Sequence, residues 1–210
     1  MKSAKNRSIL PGGLISLIFL SLPAAAVTPV EVQKLLADDG EKEDYFGYSV
    51  AIDGDTAIIG SPGAGDGDLS NAGAAYAFAR DGDTWSLQAK LLASDRAIHE
   101  VFGSAVAIDG NIAIIGAYGE DDSGLNGNGA AYVFTRSGEE WSETAKLMAS
   151  DKASVDYFGW SVAIDGDVAV IGSLHADDSG LNGNGAAYVF TRSGESWSET
   201  AKLMASDKAS

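Results

Sequence analysis

The chain has no cysteine, two histidines and few basic residues: 14 Lys and Arg stand against 30 Asp and Glu in 210 residues. Without Cys there are no disulfides, no thiol nucleophile, no Cys lipidation and no thiolate metal site. The formal net charge is −16. A protein that neutralises phosphates needs a basic surface, so nucleic acid is excluded as a partner, and anionic lipid surfaces are disfavoured for the same reason. The first 26 residues carry three cations, Lys2, Lys5 and Arg7, and no acid, so the remainder stands at −19. That charge favours solubility and attracts cations or basic partners.

Long apolar runs are also missing, except near the N-terminus. There a basic start is followed by an apolar run over 14–22 and the small residues Ala24, Ala25 and Ala26. This is a secretory signal pattern, with cleavage expected after Ala26. The run is short for a membrane span, and Pro11 and Pro23 flank it. The mature chain is therefore expected to be secreted, periplasmic or displayed at the cell surface, with no membrane insertion. A disulfide-free exported chain suits a bacterium.

What is present is a repeat. Lys34, Lys90, Lys146 and Lys202 begin matching segments 56 residues apart, and Phe46, Phe102 and Phe158 keep the same period. Segments 90–145 and 146–201 differ at 16 of 56 positions. A fixed period of this size signals stacked or radial supersecondary units.

Each unit reads as four strands. "SVAID" (161–165) and "DVAVIGS" (167–173) are β-branched runs around Asp165-Gly166, and an Asp-Gly pair predicts a two-residue hairpin in a type I′ turn. A Gly- and Asn-rich loop follows, then "GAAYVFTR" (185–192) as a third strand, a turn at "SGE", and "SWSETAKLMAS" (196–206) as a fourth. The third strand is apolar on both faces, as expected of a strand sandwiched between sheets. The fourth alternates Trp197, Ala201 and Leu203 with Ser198, Thr200 and Lys202, which suits a half-wet outer strand. Small residues in the first two strands (Ala163, Ala169, Gly172) permit close approach near an axis. The expected fold is all-β: three four-stranded antiparallel blades of a β-propeller at about 45–94, 101–150 and 157–206, plus an extra N-terminal outer strand at 32–39.

The pairs Phe46-Gly47, Phe102-Gly103 and Phe158-Gly159 are each followed thirteen residues on by Gly60, Gly116 and Gly172. This pattern resembles FG-GAP repeats, which build the propeller head of integrin α subunits and occur in many bacterial exported proteins. The resemblance covers about 35–210. The second half of the motif is degenerate, since only the first repeat has Pro, at Pro62. The resemblance implies a non-catalytic propeller that binds a protein or glycan, in adhesion or surface recognition. In physical terms, the Phe plugs the blade apolarly and the Gly allows a sharp turn into the first strand.

In integrin-like propellers Ca²⁺ sits between the first two strands. Here that hairpin is two residues, too few for a cation that takes about six to eight oxygens. The loop after the second strand is the remaining candidate, through Asp66, Asp122, Asn126, Asn128, Asp178, Asn182 and Asn184. Hard Asp and Asn oxygens between glycines suit Ca²⁺, and the same residues equally serve plain Asx-turn chemistry. No catalytic constellation is present. His99 and His175 occupy different repeat positions, no Gly-x-Ser-x-Gly elbow occurs, and no phosphate-cradling loop leads into a helix. An enzyme would need different residues around the axis, and near-identical blades do not supply them. A lyase or hydrolase with its chemistry in further blades and a purely structural spacer array are the alternatives. Three blades are also fewer than the roughly four to eight that close a propeller. The expectation is a piece of a longer frame, or self-assembly of copies.

Overall fold

The computed structural model describes residues 31–65, 67–122, 124–176 and 183–206. The expected signal segment lies outside them, as do Asp66, Asp178 and Asn182. Among the described residues no helix is long and apolar enough to cross a membrane.

Among the described residues twelve strands form three sheets. The first holds β1 (Ser49–Asp53), β2 (Thr56–Ser61), β3 (Ala74–Asp81) and β4 (Thr84–Leu91). The second holds β5 (Ala105–Asp109), β6 (Ile112–Ala117), β7 (Ala130–Ser137) and β8 (Glu140–Leu147). The third holds β9 (Phe158–Asp165), β10 (Val168–Ser173), β11 (Ala186–Ser193) and β12 (Ser196–Leu203). Every sheet is antiparallel and runs in chain order from its first to its fourth strand, which is a propeller blade.

The hairpins form one residue later than Asp-Gly implies. Asp53 pairs with Thr56, Asp109 with Ile112 and Asp165 with Val168, so the two turn residues are Gly54-Asp55, Gly110-Asn111 and Gly166-Asp167. Only the glycine of each turn has positive φ (+53°, +55° and +56°). Positive φ at the first central residue alone is the type II′ pattern rather than type I′. The preceding Asp ends its strand, and its carboxylate reaches the neighbouring blade: Gly110 N donates to Asp53 Oδ2 at 2.7 Å and Gly166 N to Asp109 Oδ2 at 2.5 Å.

Blades pack face to face through their inner strands, β5 against β1 and β2, and β9 against β5 and β6. The first junction buries Ile58, Ala77 and Leu91 of one blade against Phe102, Tyr132 and Phe134 of the next, and the second repeats this with Ile114, Val133 and Leu147 against Phe158, Tyr188 and Phe190. Phe102 and Phe158 are fully buried. Each meets its blade's tyrosine and phenylalanine edge-on, at 5.5 and 6.0 Å for Phe102 and 5.4 and 6.0 Å for Phe158. Burying one such ring is worth about 1.5–3 kcal/mol, with edge-to-face contacts adding about 0.5–1.5. The motif phenylalanine is thus the plug of a blade junction.

Its glycine works at the same place. Gly103 has φ +88°, and a Cβ there would collide with the carbonyl of Ala74 in the preceding blade. The sequence assigns this glycine a turn; the structure adds a backbone contact between blades. A bulge at Ala77/Phe78, Val133/Phe134 and Val189/Phe190 shifts the pairing of third and fourth strands. Bulges raise local twist, and the alternating pattern gives no sign of this one.

The fourth-strand copy expected as an outer strand at 32–39 takes no strand conformation. It lies instead on the first blade. Gln33 exchanges two hydrogen bonds with the backbone of Trp85, both 2.8 Å, and Leu35 and Ala37 pack on the cluster of Tyr76 and Phe78. Val50 and Ile52 of β1 stay exposed, as do Val168, Val170 and Leu203 of the third blade, whose counterparts Ile112, Ile114 and Leu147 are buried under a following blade.

Candidate binding face

The described residues of the first two Gly- and Asn-rich loops, in 65–73 and 121–129, lie at the blade junctions. Carbonyls of Ser70, Asn71 and Ala72 accept from the amides of His99, Val101 and Phe102 at 3.0–3.1 Å. Carbonyls of Asn126, Gly127 and Asn128 accept from Val155, Tyr157 and Phe158 at 2.8–3.0 Å. Each loop is a clasp for the segment leading into the next blade. That segment is strained, with positive φ at Tyr45, Val101 and Tyr157 and again two residues earlier at Glu43, His99 and Val155. Valine there is a conformational outlier, and such strain persists only where surrounding bonds hold it.

Two of the side chains that could hold calcium, Asn128 and Asp122, are engaged within the protein. Asn128 is fully buried. Its Oδ1 accepts from the Asp122 amide at 2.8 Å, and its Nδ2 donates to the Gly129 carbonyl at 3.2 Å. The Asp122 carboxylate is ion-paired with Lys152, on the segment leading into the next blade. Asn126 is exposed, as is Asn184. Among the described residues, no group of three or more acids or histidines is arranged to hold a metal ion. The described part of the donor set does not fit calcium, because an ammonium already occupies its carboxylate. His99 Nδ1 lies 3.5 Å from Asn71 Nδ2, and His175 stacks on Tyr157 with centroids 5.1 Å apart.

At the same edge an aromatic row runs across the blades. Tyr45 and Tyr48 of the first blade are both 61% exposed, and Trp160 of the third is 43% exposed. Tyr118 of the second blade sits between them, 4.7 Å from Trp160 and 5.7 Å from Tyr157, centroid to centroid. Burial raises its hydroxyl pKa above the ordinary value. Tyr45, Tyr48 and Tyr118, with Asn71, Val101 and Ser104, line a groove of about 170 Å³ between the first two blades. None of these rings plugs a junction, since the motif phenylalanines do that.

Differences between the second and third repeats concentrate here. Six of their 16 differing positions fall in 98–105 and four in 117–120, the segments on either side of the inner hairpin. The strands that build the sheets are nearly unchanged, and the edge carrying Ser104 and Tyr118 against Trp160 and Leu174 has diverged. That contrast is the sequence signal for this face; the repeat motif itself does not show it.

One further site is unique to the second blade. Glu120 is 3% exposed where the neighbouring blades have Ala64 and Ala176. One of its oxygens pairs with Lys146, and the other, Oε2, has no hydrogen-bond partner. Glu100, 4% exposed, also leaves Oε2 unpartnered. Burial raises its pKa, and the charges of Asp95 and Glu120 add to the rise.

Among known proteins, the family profile described as FG-GAP repeat matches residues 29–78, 85–134 and 141–190. The second and third matches run from an outer strand through the third strand of the next blade, so the matched unit straddles a junction. A comparison with curated proteins finds no match. A similar solved structure is that of Sqt1 from Saccharomyces cerevisiae, at 8% identity and TM-score 0.46. The likeness covers 79% of this chain and 37% of that one, so the chain spans well under half of its length. The three consecutive matches cover most of the sequence, and the chain belongs to the FG-GAP repeat family.

Proposed function

We propose that the protein is an exported, non-catalytic binding module, and that its ligand face is the aromatic edge formed by Tyr45, Tyr48, Tyr118, Tyr157 and Trp160. The carrying observation is the contrast between repeats. Units whose sheets are almost identical differ mainly at the one edge where rings stand exposed. Repeat scaffolds commonly keep their packing residues and vary one face for binding. Exposed Tyr and Trp supply large contact area at little cost in conformational entropy. The basic, apolar and small-residue order of the first 26 residues supports export, and the role in adhesion or surface recognition follows the family resemblance.

The test is capture of the full chain on arrays of extracellular proteins and glycans, with a Y48A/Y118A/W160A variant alongside. Loss of capture by the variant, with its melting curve preserved, supports the reading. Capture that is indifferent to all three substitutions overturns it. Export is checked by N-terminal sequencing from the native source, where the mature chain is expected to begin at Val27.

A further inference from the structure

We propose that the groove lined by Tyr45, Tyr48, Asn71, Ser104 and Tyr118 is a binding site for a neutral saccharide, with the C–H face of a six-membered sugar ring stacked on an exposed tyrosine. The proposal rests on the binding-module reading and specifies its ligand class. The backbone that presents the exposed rings is fixed: Tyr45 sits at φ +56°, and the Tyr48 amide donates to the Tyr45 carbonyl at 3.0 Å. Half-open aromatic faces suit a ligand that is apolar on one face and hydroxylated at its edge.

Charge narrows the choice further. Among the described residues no charged side chain lines the groove, yet the chain as a whole carries −16. An anionic ligand meets repulsion from the whole protein with no local cation to offset it. A cationic ligand is drawn by the overall charge but finds no carboxylate in the described lining to pair with. The polar groups present are hydroxyls and an amide: tyrosine hydroxyls, the Asn71 side chain, and Ser104, whose Oγ donates to the Gly116 carbonyl at 3.2 Å and keeps acceptor capacity. These match a neutral polyol. The row continues through Tyr118 to Trp160 and Tyr157 at the next junction, so an oligosaccharide of more than one ring has a track to follow.

The experiment is calorimetric titration of the full chain with neutral hexasaccharides of glucose, mannose, galactose and N-acetylglucosamine, with polygalacturonate and tetramethylammonium as charged probes. At least one neutral hexasaccharide is expected to bind and to change the tryptophan fluorescence. Y118A is expected to weaken that binding about tenfold or more. Y48A, at an exposed position where folding is not at stake, is expected to act in the same direction, and Y48F to restore most of the affinity. Binding of none of the four overturns the proposal, as does binding of tetramethylammonium in their place or insensitivity to Y48A. If no hexasaccharide binds but the triple variant still abolishes capture of a protein partner, the saccharide assignment falls and the binding face stands. If the triple variant changes nothing, both fall.

Discussion

Tyr132 donates its hydroxyl to Asp95 Oδ1 at 2.8 Å across the junction of the first and second blades, and the Lys146 ammonium meets Asp95 Oδ2 at 2.7 Å. Tyr188, Asp151 and Lys202 repeat the arrangement at the next junction, with the same two distances. Tyr76, Asp39 and Lys90 repeat it where the N-terminal segment meets the first blade. One carboxylate thus ties the end of one repeat to the third and fourth strands of the next, three times over. The tyrosine ring is buried and lies under the lysine, 5.3 Å from the centroid in the second blade. The members of this clamp keep the 56-residue period, yet nothing in their spacing marks them as partners. Only the folded junction brings together residues 37 and 51 positions apart.

Removing the hydroxyl tests the clamp. Y132F keeps the ring and its packing but leaves Asp95 with the lysine alone. A hydrogen bond to a charged, half-exposed carboxylate is worth about 1–2 kcal/mol. The expected loss of melting temperature is about 2–8 °C, since 1 kcal/mol shifts a domain of this size by about 2–4 °C. Y76F is expected to cost no more, because its partner Asp39 lies on a segment outside any sheet. Thermal denaturation of the two variants checks the order.

The same clamp sets a pH profile. Asp39 is held below the usual carboxylate range by its hydrogen bond from Lys90, helped by Tyr76. Burial alone would raise Asp95 and Asp151, but bonds from their lysine and tyrosine outweigh it, and both also lie below the usual range. A carboxyl lowered on folding contributes stability above its unfolded pKa of about 3.9, and that contribution is lost as pH falls through the folded value. The tyrosines run the other way. Burial and the facing aspartate push Tyr76, Tyr132 and Tyr188 well up. Their contribution is complete below about pH 10 and is lost as pH rises beyond it, because the unfolded chain ionises first. Melting temperature measured from pH 3 to 11 is therefore expected to form a plateau with a fall at each end. Y132F is expected to soften the alkaline fall.

Two glycines of the same motif separate conformational strain from collision. Gly103 and Gly47 have nearly equal φ, +88° and +91°. A Cβ on Gly103 would strike the Ala74 carbonyl, whereas one on Gly47 would meet nothing within 4 Å, since no blade precedes it among the described residues. G47A is expected to cost about 1 kcal/mol for the disfavoured backbone, and G103A about 3 kcal/mol or more, because the blades must part. Equal losses in urea denaturation would mean that the close approach at Gly103 carries no weight.

The architecture was legible because identical local chemistry is written three times. The period, the alternation in "GAAYVFTR" and the wet outer strand led directly to three four-stranded blades. What the repeat could not show is what arises between copies. The Asp-Gly pairs were readable as hairpins, but not their register, which is the same in all three blades, including the third, where Asp165 has no following blade to bond among the described residues. The loop asparagines fit calcium ligands by type, yet Asn128 is spent on its own loop and Asp122 on Lys152, a partner 30 residues away. The aromatic row was hidden because its members fall at three repeat positions and none is aromatic in every repeat: Tyr45 matches Tyr157, Tyr48 matches Trp160, and Tyr118 stands alone after the second strand. The usable signal was the departure from repetition.

Glu120 is such a departure, and it yields a test that runs against intuition. The glutamate is buried with one oxygen on Lys146 and one without a partner. Removing a buried, ion-paired carboxylate usually destabilises when it strands the partner charge. Here Lys146 keeps Asp95, and the neighbouring blades show that alanine fits this position, with Ala64 and Ala176 buried in place of the glutamate. Loss of Glu120 also removes one of the two like charges that help raise Glu100. E120A is therefore expected to leave stability at pH 7 unchanged or to raise it by up to about 1 kcal/mol, since relief of desolvation offsets the lost ion pair. In carboxyl-resolved NMR titration the Glu100 pKa is expected to move down toward its ordinary value. A stability loss above about 1 kcal/mol would show instead that Glu120 is an integral part of the junction, and that the second blade depends on a charge its neighbours do without.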